Sequence, residues 1–112
     1  MALRLVEGGR LRMEIACTPP ARLAVNVPGF TTIGSEDRFS LGLGNEPVTL
    51  VADLSLENGV AAEGPVPDNL EELLEAADQV TALYGTQQVG PVSRPPPQLV
   101  DAFTDACEKL AG

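Results

Sequence analysis

Asp68-Asn-Leu-Glu-Glu-Leu-Leu-Glu-Ala-Ala-Asp-Gln-Val-Thr-Ala-Leu-Tyr84 is where the apolar spacing of this chain changes. Leu70, Leu73, Leu74, Ala77, Val80, Leu83 and Tyr84 fall at i, i+3, i+4, i+7, i+10, i+13 and i+14, which lines them along one stripe of a helix. Asp68 with Glu71 three residues on is a capping-box pattern, and Gly85 suits the position just past a helix end. Glu71, Glu72, Glu75 and Asp78 take the opposite, acidic face. The spacing therefore predicts a helix over 68–84. Before it, in residues 1–64, apolar and polar residues alternate at period two, so the order is sheet first and helix after.

Working back toward the N-terminus, Leu3 and Leu5 alternate with Arg4, Gly8-Gly9 follows, and Leu11, Met13, Ile15 and Cys17 alternate with Arg10, Arg12 and Glu14. A Gly-Gly pair supplies the positive φ angles of a two-residue hairpin turn. Thr18-Pro19-Pro20 ends that strand, and Leu23, Val25 and Val27 mark a third. Residues 28–37 read as a loop carrying Phe30 and Ile33, which either tuck back onto the core or stand exposed as a contact surface. Strand character returns at Phe39, Leu41 and Leu43, then at Val48, Leu50, Ala52, Leu54 and Leu56, with Asn58-Gly59 turning into Val60 and Ala62. Toward the C-terminus, residues 85–97 read as a proline-rich linker. Residues 98–111 read as a second helix with Leu99, Val100, Phe103, Ala106, Cys107 and Leu110 on its apolar face. The expectation is a single α+β domain over 1–112, an antiparallel sheet of five or six strands followed by two C-terminal amphipathic helices packed on it.

The net charge of −9 is uneven: residues 1–44 carry five Arg against four acids, whereas residues 45–112 carry Arg94 and Lys109 against twelve. A chain of this sign is a poor ligand for nucleic acid or an anionic membrane, since both require Lys and Arg to neutralise phosphates. No run reaches the roughly 18 apolar residues that span a bilayer, and the charged N-terminus lacks the apolar core of a signal peptide. A cytoplasmic protein is expected. Cys17 and Cys107 fall on predicted apolar faces and read as buried thiols in a reducing compartment, with a single disulfide as the other reading.

The chain has no histidine, which removes the commonest general base and nitrogen ligand and excludes Ser-His and Cys-His nucleophiles. Lys109, the sole lysine, lies on the polar face of the last helix. Glu36-Asp37 reads as a solvated turn, Gly42-Leu-Gly44 as a hairpin connection and Ser93-Arg-Pro-Pro-Pro97 as a stiff spacer before a helix. No catalytic residue, cofactor or metal site is expected. What remains is binding. Val51 and Val60 break the strand alternation while Phe30 and Ile33 stand in a loop, so these four are the candidate partner-binding residues, and a homodimer is expected. The acidic face Glu71, Glu72, Glu75 and Asp78 is a second candidate contact surface.

Val48-Thr-Leu-Val-Ala-Asp-Leu-Ser-Leu-Glu-Asn-Gly-Val-Ala-Ala-Glu-Gly-Pro-Val-Pro-Asp-Asn-Leu-Glu-Glu-Leu-Leu-Glu-Ala-Ala-Asp78 runs strand, Asn-Gly turn, strand, acidic Leu-rich helix. That order is similar to the C-terminal half of type III secretion chaperones of the Tir-chaperone class. The resemblance, over residues 48–84, implies an α/β fold, dimerisation and a partner segment held extended against apolar surface. This chain departs from that pattern in starting with a strand, in lacking a helix between residues 28 and 47, and in adding a C-terminal helix. Three functions are carried forward: a chaperone- or adaptor-like protein-binding module working by sheet-edge pairing and apolar contacts, an acidic inhibitor or immunity-type protein covering a basic site on a toxin or enzyme, and, third, a small-molecule binder or an enzyme using carboxylates alone, which a deep pocket with convergent polar groups would favour.

Overall fold

A computed structural model describes residues 2–19, 21–34, 36–53 and 59–111. The opening hairpin forms as its spacing requires: β1 (Ala2–Glu7) and β2 (Arg10–Thr18) pair around Gly8 and Gly9, whose φ angles of 61° and 79° only glycine adopts without strain. β3 (Arg22–Val27) pairs with β2. β4 (Arg38–Leu43) and β5 (Glu46–Asp53) form a second hairpin around Gly44-Asn45, and β6 (Val60–Pro65) pairs with both β5 and β3. The strand positions at Leu54 and Leu56 and the first turn residue Asn58 lie outside the described residues.

The region beyond Pro65 departs from expectation. The helix predicted over 68–84 is two elements, α1 (Leu70–Ala76) and β7 (Gln79–Tyr84), and the predicted linker 85–97 contains β8 (Gln87–Ser93). Val80 and Tyr84 satisfy the helical stripe, but they also alternate with Gln79, Thr81 and Leu83 as a strand does. With Ala82 they are buried, while Leu83 faces out. The β-branched pair Val80-Thr81 and the aromatic Tyr84 favour the strand. Gly85, with φ of 61°, belongs to the β7–β8 hairpin turn and ends no helix. Asn69, not Asp68, caps α1, and it makes no side-chain capping hydrogen bond. The second helix stands as expected within a residue, as α2 (Pro97–Ala111), with proline in its first turn where a missing N–H is harmless.

The sheet therefore has eight strands where five or six were expected, all paired antiparallel in the order β1-β2-β3-β6-β5-β4-β7-β8. Two Greek keys overlap in that order: β3 lies beside β6 after the crossover at 28–37, and β7 lies beside β4 after the crossover that carries α1. β1 and β8, the ends of the order, curl toward each other and nearly close a barrel. Each strand turns alternate residues inward, so Leu3, Leu5, Met13, Ile15, Leu23, Val25, Leu41, Leu50 and Ala62 fill the interior.

The register fixes what covers each end. At one end lie the β1–β2 turn, the 28–37 crossover and the β7–β8 turn, and at the other lie α1 and α2. The crossover is plugged in by Phe30, whose ring meets those of Phe39 and Tyr84 with centroids 6.1 and 6.3 Å away. It is also clamped. The Ile33 N–H donates to the Tyr84 hydroxyl (3.0 Å), that hydroxyl donates to the Glu36 carbonyl (2.6 Å), and the Gln87 side chain exchanges two hydrogen bonds with the Thr31 backbone. At the helical end α2 buries Val100, Phe103 and Cys107, and Cys107 is disulfide-bonded to Cys17 at the end of β2. The two cysteines are paired, not free thiols; the bond joins positions 90 residues apart that no local pattern relates.

Candidate functional site

The acidic candidates sit on the helical end. α1 is short, and Glu71 and Glu72 in its first turn face the partial positive charge of unpaired N–H groups. Its C-terminus is held from outside: Arg94, just after β8, donates from Nη1 to the carbonyls of Leu74 (2.8 Å) and Glu75, and its own N–H bonds the Asp78 carbonyl. A guanidinium on the last carbonyls does for this helix what a C-terminal cap does. Leu70 and Leu74 are buried beneath, so the glutamates are forced outward.

α1 packs beside α2, and this brings two acidic stripes together. Asp101, Asp105 and Glu108 lie at i, i+4 and i+7 of α2. Carboxylate oxygens of Glu71, Glu75 and Asp101 all lie within 4.8 Å of one another, and all three residues are exposed. The pKa of Glu71 is raised, foremost by Glu75, then by desolvation and by Glu108, Asp101 and Asp105. Among the described residues, the ion pairs are Arg4 with Glu14 and Arg12 with Glu7, both on the first hairpin, so none reaches this cluster. The trio has the spacing to hold a divalent cation, though every donor is solvated and none is buried. Glu72 stands nearby on the rim of a cleft of about 290 Å³ between α1 and α2, floored by Val66, Leu70 and Cys107. Asp78 lies past the end of α1, exposed, with its carbonyl committed to Arg94.

The apolar candidates do not form a patch. Phe30 is 4% exposed and Val60 fully buried, so both belong to the core; the loop that carries Phe30 folds in as a plug. Val51 is 62% exposed, facing out from β5 between Arg38 and Glu63 of the neighbouring strands. Ile33 is partly exposed and rests against Gly85 at the far end of the barrel. The helix stripe expected at Leu73 is half-buried, and Leu99 and Leu110 of α2 face solvent.

Sequence reasoning found the α1 half of the acidic cluster and missed the α2 half, although its i, i+4, i+7 spacing is plain in the chain. Comparison with protein-family models, curated proteins and solved structures found no significant match. No helix among the described residues is long and apolar enough to cross a membrane.

Proposed function

We propose that this chain is a non-catalytic protein-binding module whose contact surface is the acidic end built by α1 and α2, and that its partner is a protein presenting a basic surface. The observation that carries the reading is the convergence of Glu71, Glu75 and Asp101. Like charges held this close raise the pKa of Glu71, and among the described residues no Arg or Lys pairs with them to offset the repulsion. Local rules of stability are broken most often at functional sites. A basic partner relieves the repulsion, and the field speeds its approach.

Of the two contact modes read from the sequence, this favours the inhibitor or immunity type. Sheet-edge pairing has less to work with, because β1 and β8 turn their edges toward each other and Pro91 in β8 offers no N–H. A homodimer through the acidic end would bring like charges together, so the partner is a different protein. The Cys17–Cys107 bond favours an oxidising compartment over the cytoplasm.

Site-specific photo-crosslinking in the producing cells tests the reading. A photoreactive residue at Glu72 should yield a discrete crosslinked protein, and one at Val51 on the barrel wall should not. Crosslinking at Val51 alone would remove the acidic end from consideration.

A further inference from the structure

α2 is attached to the barrel differently along its two halves. The first half is anchored by packing: Val100 and Phe103 are buried, and Thr104 is buried with its hydroxyl donating to the Asp101 carbonyl (3.1 Å). The second half lacks such anchors. From Asp105 to Leu110 the buried side chain is Cys107; Ala106 is half-buried, and Asp105, Glu108, Lys109 and Leu110 are exposed. What fastens these last turns to the sheet is the bond from Cys107 to Cys17 at the end of β2.

Charge works against that attachment. Glu71 of α1 feels the charge of Glu75 most, and across the helix pair those of Glu108, Asp101 and Asp105. Among the described residues, no Arg or Lys forms an ion pair with Asp105 or Glu108. A free segment of about two turns does not hold a helix in water, because the cost of nucleation outweighs so few hydrogen bonds. Cys107 and Glu108 also line the cleft between α1 and α2, where they form one wall with Thr104 of the anchored half. One covalent bond therefore sets where most of that wall stands.

We infer that the disulfide is a redox latch on the acidic end: oxidised, it holds residues 105–111 against the sheet and completes the cleft, and reduced, it lets them detach while Val100 and Phe103 keep the start of α2 docked. The reductant is a dithiol. Its thiolate attacks Sγ of Cys17, the less buried partner, and Cys107 leaves as a thiolate and takes up a proton. The second thiol of the reductant then displaces Cys17 from the mixed disulfide. The cystine gains two electrons and two protons, and the dithiol becomes a disulfide. Glu71, Glu75 and Asp101 lie outside the detaching segment, so reduction takes the Glu108 wall from the contact surface and leaves the trio. Control of partner binding by this latch rests on the acidic-end reading; the latch itself does not.

NMR relaxation of the isotope-labelled full chain, oxidised and then reduced with dithiothreitol, tests the latch. Order parameters at residues 106–110 should fall from about 0.85 in the oxidised form to below about 0.6 on reduction, the change from rigid to flexible backbone. Met13, Leu41 and Phe103 should keep their native shifts, and reoxidation should restore the segment. Equal order parameters in the two forms would overturn the latch. So would loss of native shifts throughout the barrel, because the bond would then hold the whole fold and not one segment. The Cys17→Ala/Cys107→Ala variant should match the reduced form and, with the photoreactive residue at Glu72, should give less crosslinked partner than the disulfide-bonded parent. Equal yield from a variant whose segment is mobile would overturn the control of binding. No crosslink from the oxidised parent would count against the acidic-end reading and leave the relaxation result standing.

Discussion

Cys107 of α2 is bonded to Cys17 at the end of β2, closing a loop across 90 residues of sequence with the Cα atoms 5.5 Å apart. The bond ties the helix that covers one end of the barrel to the first sheet segment. A loop of this length is worth about 2 to 5 kcal/mol when its disulfide is removed. The Cys17→Ala/Cys107→Ala variant should show that loss in urea unfolding, and the native protein should give no free-thiol signal. A reduced protein as stable as the oxidised one would mean the bond is idle.

Tyr84 anchors the crossover through a hydroxyl that is shared between the Ile33 amide and the Glu36 carbonyl. Tyr84→Phe keeps the ring against Phe30 and Phe39 but strands those backbone groups, at a cost of about 1 to 3 kcal/mol. Hydrogen exchange should quicken at residues 31–36 more than in the strands. Uniform protection in the variant would show that Gln87 and the Phe30 plug hold the crossover without the hydroxyl.

Leu74 is 1% exposed at the centre of the α1 contact. Leu74→Ala should destabilise by about 2 to 5 kcal/mol as a core truncation. Melting followed by circular dichroism measures it, and an unchanged midpoint would mean α1 docks without this side chain.

Glu71 makes a signed prediction about pH. Its folded pKa is raised, so between the ordinary glutamate range and the raised value the native state binds more protons than the unfolded one. Its contribution to stability therefore falls as pH rises through that window, and at neutral pH it is unfavourable. Glu71→Gln should melt slightly higher than the parent at neutral pH. The gap should close as pH falls below the glutamate range and shrink with added salt. A variant that melts lower at neutral pH and low salt would contradict the assigned repulsion.

The front of the barrel was legible because its signals are local. Gly8-Gly9 dictates a hairpin, and alternation from Leu3 to Cys17 sets which face is buried. β7 was not legible because Val80 and Tyr84 fit both a period of 3.6 and a period of two, and Gly85 suits a helix end as well as a hairpin turn. β8 was hidden by Gly90-Pro91, which sits at a bulge where the register with β7 shifts and breaks the alternation between Val89 and Val92. Phe30 was open for a similar reason: a phenylalanine in a polar loop reads equally as core or as contact surface until the crossover is known to fold over the barrel end. The acidic site was half legible. Glu71 and Glu75 share a helix face by spacing alone, but only the packing of α2 on α1 brings Asp101 to them.

The most direct test of the account neutralises the cluster with Glu71→Gln/Glu75→Gln/Asp101→Asn and compares the variant with the parent in the Glu72 photo-crosslinking assay. The account predicts a folded protein, at least as stable as the parent, that no longer yields the crosslinked partner. A folded variant that captures the same partner in full yield would show that these carboxylates are not the binding surface.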